Sequence, residues 1–152
     1  MTTDLKEQAR RRLRNLLALQ EEMIRRFGDT DYNVFIFGSY PTVRYVDGKS
    51  DIDIAIYTKD FSLYKKIALF LDDYFEEQHI DPDIFYIDTT MDAPLFCAPL
   101  KSAIQFTDYF PEELHAFEAR CRVKLEETKA KMAEEALHTA SENASSESEG
   151  QS

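Results

Sequence analysis

Residues 35–57 read FIFGSYPTVRYVDGKSDIDIAIY. Two hydrophobic stretches flank a polar connection. The first, NVFIF at 33–37, is a short apolar run that stops at Gly38, as expected of a buried strand ending in a sharp turn. The second, DIDIAIYT at 51–58, alternates like a strand with two distinct faces. Alternation places Asp51 and Asp53 on one side and Ile52, Ile54 and Ile56 on the other. Asp is a poor strand former, and two carboxylates side by side repel each other. A divalent cation between them would relieve that cost, and oxygen ligands suit Mg²⁺ or Mn²⁺. The alternative is an exposed strand face at a sheet edge, where two Asp are harmless.

The connection carries its own chemistry. Gly38 lets the backbone turn and lets a ligand approach the main chain, and Ser39 adds a hydroxyl and an amide. Pro41 suits the first turn of a short helix, whose free amides would attract an anion. Further on, residues 79–85 read HIDPDIF. Asp83 stands beside Asp51 and Asp53 if the second and third strands are neighbours. Asp81 has the same parity and is the alternative third ligand, whereas Asp88 has the opposite parity and is expected off the site. Three carboxylates on one sheet face suit two divalent ions about 3.5–4 Å apart, the usual clamp for an in-line phosphoryl displacement.

Outward from this centre, residues 4–27 read as an amphipathic helix with Leu5, Ala9, Leu13, Leu16, Leu17, Met23, Ile24 and Phe27 at spacings of three and four. Its Arg10, Arg11, Arg12 and Arg14 cannot all share one face. They read either as solvated arginines or as a basic patch facing a phosphate or an acidic partner. Residues 62–78 form a second amphipathic helix with Leu63, Ile67, Phe70, Leu71 and Tyr74 turned inward. A third strand covers 83–88, Pro94 and Pro99 interrupt the chain, and 100–110 reads as a short helix. Pro111, with Glu112 and Glu113 behind it, opens a long helix to residue 138. Residues 139–152 are rich in Ser and Glu, lack large apolar side chains and are expected to be disordered. The division is therefore 1–110 as the main domain, 111–138 as a C-terminal helix and 139–152 as an acidic tail. The fold class is α/β (α+β): a small mixed β-sheet with helices packed on one face, plus the long C-terminal helix.

The 152 residues are 43% hydrophobic and 31% charged, with 11 Phe and 8 Tyr, enough for one core. Eighteen basic and 29 acidic residues give a net charge of −11. The acidity concentrates in residues 28–98, which carry a net −9, while residues 1–27 carry +3. Such a balance argues against a nucleic-acid coat and suits a site that gathers cations. No apolar run is long enough to span a membrane, and the N-terminus has no signal-peptide pattern. Two cysteines, Cys97 and Cys121, make no disulfide framework, so a cytoplasmic location is expected. His79, His115 and His138 have no ligand spacing and read as surface or packing residues. Tyr40 and Tyr45, beside the Gly-Ser turn, are candidates to stack on a base.

Taken together, a hydrophobic strand, Gly38-Ser39, an eleven-residue gap, Asp51-Ile52-Asp53-Ile54 and a later strand Asp resemble the DNA polymerase β-like nucleotidyltransferase superfamily. The resemblance covers roughly residues 30–110, and the compactness is similar to the minimal nucleotidyltransferases that partner HEPN proteins in toxin–antitoxin pairs. It implies the nucleotidyltransferase fold. It also implies that Gly38 and Ser39 hold the β- and γ-phosphates of ATP or another nucleoside triphosphate. Asp51 and Asp53 would bind two Mg²⁺ ions (Mn²⁺ as substitute), and Asp83 would complete the second metal site and accept the proton of the attacking hydroxyl. Ser50 would lie at the nucleotide. Minimal members commonly follow Gly-Ser with a small residue, Arg and Gly, where this chain has Tyr40-Pro41-Thr42-Val43-Arg44. Arg44 or Lys49 is left to supply that cation. The implied reaction moves a nucleoside monophosphate onto a hydroxyl of a protein or small molecule, and the resemblance allows a homo-oligomer. Two alternatives stand beside it: a catalytically weak module that binds an HEPN-type partner, and an aminoglycoside-type enzyme. With no large RNA-binding domain, a nucleic-acid acceptor is not expected, and Arg120-Cys121-Arg122 is not followed by a histidine at the spacing HEPN nucleases use.

Overall fold

The computed structural model describes residues 2–90 and 100–150. Pro94, Cys97 and Pro99 lie outside the described residues. Helix α1 spans Thr2–Phe27, strand β1 Asn33–Phe37, strand β2 Ile52–Tyr57, helix α2 Phe61–Glu77 and strand β3 Pro82–Tyr86. A 3₁₀ turn at Leu100–Ser102 and a two-residue strand β4, Ile104–Gln105, precede helix α3, Glu112–Gly150. The sheet order is β3-β2-β1-β4. Strand β1 pairs antiparallel with β2 and with β4, and β2 pairs parallel with β3. This is a small mixed sheet in an α+β domain.

The alternation in the two central strands divides the core. Val34 and Ile36 of β1 join Ile52, Ile54 and Ile56 of β2 on one face, where they meet Leu16, Leu19 and Met23 of α1 and Leu63, Ile67, Leu71 and Phe75 of α2. Each such fully buried aliphatic side chain contributes about 1.5–3 kcal/mol relative to exposure. The opposite face carries Phe35, Ala55 and Tyr57, packed on Leu100 and on Leu114, Phe117 and Cys121 of α3. Helices α1 and α2 thus cover one face as expected, and the first turns of α3 cover the other. Beyond the half-buried Leu125, α3 is exposed through residue 140.

Four local expectations are corrected. Buried positions on α1 are Ala9, Arg12, Leu16, Leu19 and Met23, whereas Leu5, Leu13, Leu17 and Ile24 face outward. The apolar residues on α1 exceed one stripe, so periodicity alone does not choose among them. Residues 100–110 are not a helix: Ile104–Gln105 pair with Phe35–Ile36 instead, extending the sheet. Pro41 does not open a helix; residues 38–44 form hydrogen-bonded turns. Finally, α3 runs through Gly150 rather than stopping at 138. No Pro or Gly before Gly150 interrupts its main-chain ladder.

Helix starts follow local chemistry. The Asp60 carboxylate caps α2 by accepting from the amides of Ser62 and Leu63. The Pro111 carbonyl accepts from Leu114 and His115, so proline sits just before the first turn of α3. No helix among the described residues is long and apolar enough to cross a membrane.

Candidate functional site

The strand register gathers the acidic motif at one end of the sheet. Asp53 stands opposite Phe37 on β1 and opposite Asp83 on β3. Strands β2 and β3 are neighbours, so the condition for Asp83 to join the site is met. Asp51 lies exposed just ahead of β2. Asp81 precedes β3 and uses its carbonyl to accept from the Ile52 amide. Asp88 lies beyond the far end of β3, where its carboxylate accepts from the amide and hydroxyl of Thr90.

Gly38 follows β1 with φ +78°, the left-handed region. A Cβ built on it would stand 2.6 Å from Oδ2 of Asp53. The Gly-Ser turn and the central carboxylate therefore touch, which the sequence spacing alone does not show. Partial burial, then the charges of Asp83 and of Asp51, hold the Asp53 carboxyl above its ordinary range. These are the signs of a place where negative charge lacks a counterion. The donors are all oxygens and accessible, and they fit a hard divalent cation.

The turn after Gly38 is tightly closed. The amide and hydroxyl of Thr42 both donate to the Ser39 carbonyl, each at 2.8 Å. Ser50 closes a second turn: its hydroxyl accepts from the Val46 amide and its own amide donates to the Val46 carbonyl. Arg44 and Lys49 are both exposed on this connection. Tyr40 and Tyr45 are buried, edge to face with ring centroids 5.2 Å apart, and Tyr40 also packs on Phe75. They are core residues that anchor the loop rather than platforms for a base.

Sequence reasoning missed two features. The first is Arg12, buried among its exposed neighbours. Glu7 lies 3.7, 3.9 and 3.1 Å from Arg10, Arg11 and Arg14. Arg12 instead turns inward and donates to the Tyr40 and Thr42 carbonyls at 2.6 and 2.8 Å. The second is Asp72, Asp73 and Glu76 on α2. Among the described residues their carboxylate oxygens form a group within 4.8 Å of one another. The pattern DDYFE at 72–76 is its only sequence signal. Asp51, Asp53 and Asp83 do not form a group that close among the described residues.

A search of curated proteins finds no match, and neither does a search of solved structures. A family model described as nucleotidyltransferase domain matches residues 17–113, a span that holds all four strands, the Gly38-Ser39 turn and Asp51, Asp53 and Asp83. The chain belongs to the nucleotidyltransferase domain family.

Proposed function

We propose that the protein transfers a nucleoside monophosphate, from ATP or another nucleoside triphosphate, to a hydroxyl on a protein or small molecule. The observation that supports this most is the meeting of Gly38 with the Asp53 carboxylate, in register with Asp83. Asp51, Asp53 and Asp83 would hold Mg²⁺ or Mn²⁺. Bound there, the ions would neutralise the triphosphate and the charge that develops on the attacking and leaving oxygens. The exposed Gly38 backbone and Ser39 would receive the terminal phosphates, with no Cβ at Gly38 to block their approach. Arg44 and Lys49, on the same connection, would add positive charge, while Ser50 keeps that connection folded.

In the reaction, the acceptor hydroxyl oxygen bonds to the α-phosphorus. The bond from that phosphorus to the bridging oxygen breaks, and pyrophosphate leaves with the electron pair. The hydroxyl proton passes to Asp83, the site's outermost carboxylate on β3. The residues contribute chiefly by position and charge.

The test is transfer of label from α-labelled nucleoside triphosphates to acceptors in a cell extract, with Asp53→Asn as control. Labelling by the wild type and none by the variant is expected; equal labelling by both would sink the assignment. A second reading has support in α3, where Val123, Met132 and Leu137 are exposed. In it the chain binds an HEPN-type protein and neutralises it one to one. Asp51→Asn and Asp53→Asn would then keep the biological effect.

A further inference from the structure

We infer that Arg12 is the positioning residue of the nucleotide turn, a cation placed behind Gly38-Ser39 by helix α1. The inference rests on the nucleotide reading above and adds to it a residue that lies outside the matched family span of 17–113.

Burying a guanidinium is costly unless its donors are met. Arg12 is only 8% exposed. Its Nε donates to the Tyr40 carbonyl and its Nη2 to the Thr42 carbonyl. Its guanidinium carbon lies over the Tyr45 ring, 4.8 Å from the centroid, and 6.0 Å from the Tyr40 centroid. A planar fork that stacks and donates twice is what Arg offers and Lys does not.

These contacts act on the segment that begins at Gly38. Thr42 closes the turn on the Ser39 carbonyl, so holding Tyr40 and Thr42 also holds the Ser39 main chain just ahead of them. Glu7 lies beside Arg10, Arg11 and Arg14, whereas the hydrogen bonds of Arg12 go to main-chain carbonyls of the turn. The departure from the small-Arg-Gly continuation then has a physical account. Cationic support for the turn comes from α1, through the Tyr40–Tyr45 pair, rather than from the turn itself.

The experiment compares full-length wild type, Arg12→Gln, Arg12→Lys and Leu114→Ala. Leu114 is buried on the opposite face of the sheet and serves as a destabilised control. Each protein is titrated calorimetrically with ATP and Mg²⁺, and amide hydrogen exchange is followed at residues 39–42. Arg12→Gln is expected to weaken binding about tenfold or more, one 1.4 kcal/mol step, and to speed exchange at Thr42. Arg12→Lys should fall between Gln and wild type, and it decides the matter if the Gln variant does not fold. Leu114→Ala should lower the melting temperature without changing the dissociation constant. Wild-type affinity in both Arg12 variants overturns the inference, as does an equal loss in Leu114→Ala. A folded wild type that binds no nucleoside triphosphate overturns the nucleotide reading and this inference with it.

Discussion

The two ends of strand β2 hold carboxylates in opposite circumstances. At the far end, Glu113 of α3 accepts a hydrogen bond from the Tyr57 hydroxyl at 2.8 Å and meets the Lys59 ammonium at 3.0 Å. The Tyr57 hydrogen bond, its own backbone amide and Lys59 hold the Glu113 carboxyl down at about 2. At the near end, Asp53 faces Asp83 and Asp51, and its carboxyl is pushed up by burial and by those charges. One carboxylate has been given its partners by the fold and ties α3 to the sheet. The other has been placed among like charges, which a fold tolerates where a ligand supplies the missing cation.

The sharpest way to break this contrast is Asp53→Asn. Transfer should fall by about 10²–10³-fold or more, since a carboxylate that would hold the ion facing the developing charge is lost. Product formation at saturating nucleotide and Mg²⁺ measures it. The same variant should not be less stable at neutral pH. A carboxyl raised in the folded state contributes stability below its unfolded value of 3.8, and that stability is lost as pH rises through the folded value. Removing the charge at pH 7 therefore relieves repulsion, and urea unfolding should show a midpoint equal to or above wild type.

Gly38→Ala tests the contact between turn and carboxylate. Holding a Cβ-bearing residue at φ +78° costs about 1–2 kcal/mol. The new Cβ must also displace Oδ2 of Asp53. Nucleotide binding should weaken by more than the melting temperature alone would suggest. Gly48 provides the comparison: it has the same φ, but a Cβ there meets nothing within 4 Å. Gly48→Ala should lower stability and leave binding unchanged.

The smallest effect belongs to the satisfied end. Glu113 has a depressed carboxyl, so its contribution is present above the ordinary value of 4.5 and is lost as pH falls from there toward about 2. The pH dependence of the wild-type urea midpoint below pH 4.5 should flatten in Glu113→Gln. Transfer activity should not change.

Much of this arrangement was legible in the sequence. The strand NVFIF and the alternation after Asp51 are written in residues whose faces must differ, and the structure places β1 and β2 on them within a residue. The proximity of Asp83 needed a parallel β2–β3 pair, which the intervening helix α2 favours. Arg12 was hidden because the stripe it shares with Ala9, Leu16, Leu19 and Met23 competes with exposed apolar residues such as Leu13 and Leu17; its burial depends on Tyr40 and Tyr45, which lie far along the chain. Strand β4 was hidden because two residues carry too little alternation, and their pairing with β1 is a tertiary choice. The length of α3 was hidden because polar, alanine-rich sequence supports a helix and a solvated coil alike.

The central claim is that the unbalanced end of β2 is a cation-dependent triphosphate site. Calorimetric titration with each nucleoside triphosphate, with and without Mg²⁺, on wild type and Asp53→Asn tests it most directly. The account predicts binding by the wild type that requires Mg²⁺ and is lost in the variant. A folded wild type that binds no nucleotide, or an Asp53→Asn that binds as well as wild type, would contradict it.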